Sequence, residues 1–162
     1  MINNEVKSIK GFSLIELMTV MAIVSLLVAV ALPILLGFRN SARAKTFIAN
    51  AKSAEGEIQS WAESAISHNS ELRLHDTNCD GEVNAKDKTN GEIFIGGIAK
   101  TYVECRNYGF KETSPWIDGI SLWKFDEPAG DGQITLVQTG NRIDIIAKNK
   151  TGEILYKETI SY

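Results

Sequence analysis

Polar positions along this chain fall in three regimes. In the first, Leu17 to Leu36, twenty residues pass without a charged side chain, and the only hydroxyls are Thr19 and Ser25. As a helix rising about 1.5 Å per residue this stretch spans roughly 30 Å, the thickness of a bilayer's hydrocarbon core. In the second, Phe47, Ala51, Ala54, Ile58, Trp61 and Ala65 recur at spacings of 4, 3, 4, 3 and 4. That is one face of a 3.6-residue period, and Lys45, Lys52, Glu55, Gln59 and Glu63 fall mainly on the others. Ser13 to about Ile66 therefore reads as one long helix of roughly 80 Å, with the stripe as domain core. Pro33 and Gly37 should bend or locally melt it, since proline removes a backbone hydrogen bond and glycine weakens a helix.

The third regime is strand-like. Gln133–Gln138 and Arg142–Lys148 are rich in Ile, Val, Leu and Thr and flank a hairpin turn, Thr139-Gly140-Asn141. After a second turn at Asn149–Gly152, Glu153–Ser161 closes the meander with Ile154, Tyr156 and Ile160 at alternating positions. Glu92–Ile95 and Thr101–Cys105 read as a further strand region. A half-exposed sheet needs cover, which the Phe47–Ala65 stripe supplies. The fold class is thus α+β: a long N-terminal helix packed on a C-terminal antiparallel sheet.

Composition changes little. The 162 residues carry a net charge of −3 and are 44% hydrophobic, ordinary for about one folded domain and without the basic face that nucleic acid needs. The apolar run is too long for a secretory signal core, which is about 7–15 residues and ends at a small-residue cleavage site. Lys7 and Lys10 precede it and Arg39, Arg43 and Lys45 follow, so the positive-inside rule leaves its orientation open. Glu16 stands at the start of the run. A carboxylate at membrane depth costs a few kcal/mol unless paired. Either it snorkels to the headgroups or it has a function.

The string Lys10-Gly11-Phe12-Ser13-Leu14-Ile15-Glu16-Leu17-Met18 resembles the cleavage and methylation signature of type IV prepilins and type II secretion pseudopilins. The resemblance covers about residues 7 to 40; Pro33 within the span is common in that family, and Glu5 beside the two leader lysines is a departure. It implies a pilin fold and a precursor in the inner membrane. Residues 1–11 would be the leader, 12–38 the transmembrane and filament-core helix, and 39–162 the globular pilin domain. A prepilin peptidase would cut after Gly11 and N-methylate Phe12, and glycine leaves the backbone open to that enzyme. The cut removes 11 of 162 residues and a formal charge of +1, leaving 151 residues at −4. It also frees a cationic amine on Phe12, one helical turn from Glu16, so that in a filament each carboxylate would pair with the amine of an adjacent subunit. Implied partners are further copies of the chain in a helical homopolymer, an inner-membrane assembly platform and other minor pilins. The destination is an extracellular pilus or a periplasmic pseudopilus.

Residues 76–87, Asp76-Thr77-Asn78-Cys79-Asp80-Gly81-Glu82-Val83-Asn84-Ala85-Lys86-Asp87, place oxygen side chains at loop positions 1, 3, 5, 9 and 12 with glycine at 6. This is the spacing of a twelve-residue calcium loop, and it is similar to the dockerin variant, which ends on Asp. The resemblance implies side-chain ligands Asp76, Asn78, Asp80 and Asp87, a carbonyl ligand from Glu82, and Asn84 through water. Val83 would point into the core, and Lys88–Gly91 would lead to a strand rather than the dockerin helix. The calcium would be structural. The alternative is a polar surface loop. Cys79 and Cys105 lie in a part expected outside the cytoplasm, where one bridge is the simple reading and free thiols the other. His68 and His75 lack metal-ligand spacing.

No nucleophile–base pair, phosphate loop or paired acid is present, so an enzyme is not expected. The leading reading is a type IV pilus subunit, with a type II secretion pseudopilin as its rival. From another class comes a membrane-anchored calcium-binding module that never polymerises.

Overall fold

The computed structural model describes residues 11–67 and 70–162. The leader residues 1–10, with Lys7 and Lys10, and His68 lie outside the described residues. By its contacts the chain divides into two compact units, Met1–Ser41 and Ala42–Tyr162.

Helix α1 runs from Leu14 to Ile66 with Pro33 inside it. No break occurs at Pro33 or Gly37, so the expected local melting is corrected. In the first unit its large apolar side chains stand open, from 47% exposed at Val24 to 77% at Leu14. This is the one helix among the described residues long and apolar enough to cross a membrane. The two hydroxyls of its apolar run bond back to the helix itself, Thr19 to the Glu16 carbonyl (2.9 Å) and Ser25 to the Met21 carbonyl (2.7 Å). Neither side chain is left as an unsatisfied polar group in an apolar solvent.

In the second unit the stripe read from the sequence is buried: Phe47, Ala51, Ala54, Ile58, Trp61 and Ala65, joined by Ala62. Three of the stripe's six positions are alanine. Each large side chain buried there contributes about 1.5–3 kcal/mol. A chain of edge-to-face rings crosses the core, with Trp61 and Tyr102 centroids 5.5 Å apart and Tyr102 and Trp123 5.4 Å apart.

The sheet has four strands in the order β1 (Trp123–Phe125), β2 (Ile134–Thr139), β3 (Arg142–Lys148) and β4 (Ile154–Ser161). The meander β2–β3–β4 is antiparallel as expected, but β1 joins parallel, with Trp123 opposite Ile134. The sheet is therefore mixed, which corrects the all-antiparallel reading. Its short return through residues 126–133 is unusual, because parallel neighbours ordinarily need a crossover of about a dozen residues or more. Inward alternation holds through β3, where Ile143, Ile145 and Ala147 are all buried. In β4 it fails at Ile154, which is 52% exposed. A register shift between Ala147 and Lys148 pairs these with Tyr156 and Ile154, skipping Leu155. That bulge turns Leu155 toward the core and Ile154 to solvent.

The segments 92–95 and 101–105, read as strands, are helical: α2 spans Asn90–Gly96 and α3 spans Ile98–Cys105. Thr89 caps α2 by accepting from the Glu92 amide, and the Glu92 carboxylate accepts from the Thr89 amide at 2.7 Å. Such a reciprocal box stabilises a helix start by about 1 kcal/mol. In α3, Ile98, Ala99, Tyr102 and Val103 are buried at helical spacing. A π-helical turn, Arg106–Phe110, follows directly.

Candidate functional site

The N-terminal site is built on the first turn of α1. Gly11 and Phe12 precede the helix, and Phe12 is 88% exposed. Ser13 is the residue before the helix, and its amide donates to Glu16 Oε2 at 2.8 Å. This is the backward half of a capping box, a carboxylate in the third helical position closing on the amide at the helix start. It folds Glu16 toward the Gly11–Phe12 junction, at the helix end where negative charge is favoured. Glu16 is exposed within the isolated chain.

The 76–87 segment is a tight, self-bonded loop. Asp76 accepts from the amides of Asp80 (3.1 Å) and Gly81 (2.7 Å). Asn78 Oδ1 accepts from the Asp80 amide (2.9 Å), and Asp80 Oδ1 from the Glu82 amide (3.1 Å). The Glu82 carbonyl accepts from Asn84 Nδ2 at 3.2 Å. Gly81 turns the chain at φ 98°, a backbone state that side chains disfavour. Asp87 is the buried anchor, accepting from the amides of Thr77 (2.8 Å), Asn78 (3.2 Å) and Asn84 (2.7 Å). Burial works to raise its pKa, but those amides and the Thr77 hydroxyl outweigh it and hold the carboxyl below its ordinary value. Val83, expected in the core, is 51% exposed. It lies at the loop's outer edge, and the inward position is taken by Asp87. The chain leaves this loop into α2, not into a strand.

Among the described residues, no group of three or more His, Cys, Asp or Glu side chains is gathered to hold a metal ion. The carboxylates of Asp76, Asp80 and Asp87 are turned to the loop's own amides. Asp87 Oδ1 already accepts three hydrogen bonds, from the Thr77 and Asn78 amides and the Thr77 hydroxyl, whereas the other oxygens of Asp76, Asp80 and Asp87 accept one each. An oxygen that accepts one bond keeps lone-pair capacity for a hard cation such as calcium.

Cys79 and Cys105 form a disulfide with Cα atoms 5.3 Å apart, pinning the loop to the end of α3. Gly109 in the π-helical turn packs against the same spot. A Cβ there would overlap the Cys79 Cβ and lie 2.9 Å from the carbonyl oxygens of Asn78 and Cys79. His75 stacks on Trp61 with centroids 5.2 Å apart and hydrogen-bonds Ser64, and burial lowers its pKa.

Beside the bridge is a cluster that the sequence did not disclose, centred on Arg106. Its Nη2 donates to both oxygens of Glu57 (2.9 and 2.7 Å), and its Nε donates to the Tyr102 hydroxyl at 3.0 Å. Nη1 meets Glu112 only at 3.6 Å. The guanidinium lies 5.2 Å from the ring centroids of Tyr102 and Phe110 and 5.6 Å from that of Trp123. Burial opposes its charge, yet Tyr102, Glu57 and Glu112 together hold its pKa above the ordinary value. Burial, above all, raises the pKa of Tyr102. The partners come from positions 57, 102, 110, 112 and 123, so no local spacing signals the cluster.

Residues 6–32 match the family model described as the prokaryotic N-terminal methylation motif. The chain thus carries the processing motif of pilin-type precursors, which are structural and non-enzymatic proteins. No curated protein and no solved structure matches the chain.

Proposed function

We propose that this chain is a filament subunit of the type IV pilus class, made as an inner-membrane precursor, cut after Gly11, N-methylated at Phe12 and polymerised through α1. The observation that carries this reading is the methylation motif over residues 6–32, with Glu16 folded toward the junction that the cut would open. Once Phe12 bears a free amine, Glu16 has a cationic partner of matching chemistry on a neighbouring copy. In an apolar filament core an unpaired carboxylate is penalised by several kcal/mol, which makes the pair a register device.

The N-terminal mass tests processing: a species beginning at methylated Phe12 is expected, and a chain retaining residues 1–11 overturns the reading. Glu16→Ala tests assembly. It should abolish filaments while leaving membrane insertion intact, and filaments at parental abundance would sink the pairing. The same preparation separates the two filament classes. Long sheared surface fibres containing the chain support a pilus, and short periplasmic assemblies made only with a secretion system point to a pseudopilin. A chain that is processed yet never polymerises would favour the anchored binding module.

We also propose that the 76–87 loop binds calcium through Asp76, Asn78, Asp80, Asp87, the Glu82 carbonyl and, through water, Asn84. Support comes from the oxygen spacing and from the lone pairs these groups retain. A ligand at about a hundred times its Kd stabilises the folded state by about 2.7 kcal/mol. Calcium should therefore raise the melting temperature, EGTA should reverse the rise, and Asp80→Ala should remove the response. A melting curve indifferent to EGTA would leave the loop a self-bonded surface turn.

A further inference from the structure

Four places in the chain set glycine directly after an aspartate or asparagine: Asp80-Gly81, Asn90-Gly91, Asp118-Gly119 and Asp131-Gly132. Such a pair can cyclise, the glycine nitrogen attacking the side-chain carbonyl carbon of the residue before it. Glycine permits this best because no side chain shields its amide. The nitrogen must be free to turn toward that carbon, so an amide held in a hydrogen bond has first to be released.

The fold ties down three of the four amides. Gly81 donates to Asp76 Oδ2 (2.7 Å), Gly91 to the Ser70 carbonyl (3.0 Å) and Gly132 to the Asn149 carbonyl (2.9 Å). The Gly119 amide has no acceptor among the described residues, and the Asp118 carboxylate has no hydrogen bond or ion pair there. Exposure does not draw this distinction, because Asp80, Asp118 and Asp131 are all exposed. Space does. A Cβ on Gly119 would meet nothing within 4 Å, whereas one on Gly132 would lie 2.9 Å from the Ile117 side chain.

The surroundings of Asp118 are fastened. Thr113 and Ser121 pair antiparallel, and the amides of Ser114 and Leu122 donate to the carbonyls of Ile120 and Glu112, both at 2.9 Å. Ser114 Oγ accepts from the amides of Trp116 and Ile117 at 3.2 Å. Asp118 and Gly119 form the tip of a loop closed at its base, where Gly119 turns at φ 78°.

We propose that Asp118-Gly119 is a modification site, at which the folded chain converts aspartate to isoaspartate through a cyclic imide. The Gly119 nitrogen bonds to Asp118 Cγ, and the hydroxyl of the carboxylic acid leaves with the amide hydrogen as water. Water then adds to one of the two ring carbonyls. Breaking the bond from nitrogen to the main-chain carbonyl leaves the chain running through Cγ, which is isoaspartate; breaking the bond to Cγ restores aspartate. One water leaves and one returns, so no oxidant or other reactant is needed. The formal charge is unchanged and the main chain gains one methylene, which the tip absorbs because the loop is closed beneath it. The proposal is independent of the filament and calcium readings.

The test incubates the full chain in detergent micelles in water enriched in heavy oxygen, once folded and once in urea, followed by digestion and peptide mass mapping. Each ring opening takes one oxygen from solvent and so labels the residue that cyclised. In the folded chain the label at Asp118 should exceed that at Asp80 and Asp131 by about tenfold, the factor expected when a rival amide must first break one hydrogen bond. In urea the three aspartates should label alike. Backbone fragmentation of the labelled peptide should show isoaspartate at 118. Asp118→Glu, which needs a larger and less favourable ring, should abolish the label there while leaving the melting curve unchanged. Equal label at Asp80 or Asp131 in the folded chain, no label at Asp118 when urea produces it, or label without isoaspartate at 118 would overturn the proposal.

Discussion

Gly109 shows how one residue can set a local arrangement without carrying any chemistry. Its missing Cβ is the space into which Cys79 and the two carbonyls of the loop fit. Because two of the three closest atoms are backbone, they cannot swing away as a flexible side chain would. Gly109→Ala should destabilise the globular unit by about 2 kcal/mol or more, as overpacked sites do, read as a lowered urea midpoint with unchanged slope. A midpoint within error of the parent would mean that the π-helical turn yields freely. Neither this glycine nor Arg106 was legible in the sequence. Gly109 sits in Tyr108-Gly109-Phe110 like any turn glycine, and the partners of Arg106 reach 49 residues away. The acidic pattern of residues 76–87 was legible because all its groups belong to one turn of chain.

At the scale of elements, what was legible follows the range of the signal. Strands β2, β3 and β4 were visible because alternation and a Thr-Gly-Asn turn are local, and α1 because its stripe repeats over nineteen residues, Phe47 to Ala65. Helices α2 and α3 were misread as strands: seven- and eight-residue elements rich in Ile, Tyr and Val carry both periods. The Thr89–Glu92 capping box was the overlooked discriminator. Strand β1 is three residues long and pairs in parallel, so no hairpin announces it. The α1–β4 contact also makes a prediction. Tyr156 of β4 donates to Glu55 of α1 at 2.6 Å. Burial, then that hydrogen bond and the charge of Glu55, push the Tyr156 pKa up to about 12 from its ordinary 10.0. A group whose folded pKa is raised contributes stability that is complete below the unfolded value. That contribution should be lost as pH rises from about 10 to 12. Denaturant midpoints across this window should fall for the parent and fall less for Tyr156→Phe, which also removes about 1 kcal/mol at neutral pH. Equal alkaline losses in the two proteins would exclude the contact as their source.

As a whole molecule the chain is made for two solvents. The second unit closes a core of its own, with Ile58, Ile93, Ile98, Leu136, Ile143 and Ile145 fully buried. Among its described residues the first unit buries no large apolar side chain, although soluble monomers rarely expose contiguous apolar patches beyond a few hundred Å². Its apolar surface therefore calls for lipid or for other copies of the same helix, and the filament reading supplies both in succession. That division was visible from hydropathy alone. The packing of the second unit was not, because it depends on contacts between segments tens of residues apart.

The bridge that pins the 76–87 loop has a further effect wherever a protease reaches that loop. Gly81, Glu82, Val83 and Lys86 are exposed, and all lie between Cys79 and Cys105. A limited cut at any of them should give one band on a gel without reductant and two with it, and two bands under both conditions would mean the bridge is absent. A protease that finds the loop thus opens the chain without shedding any of it, and the nicked subunit stays one covalent body.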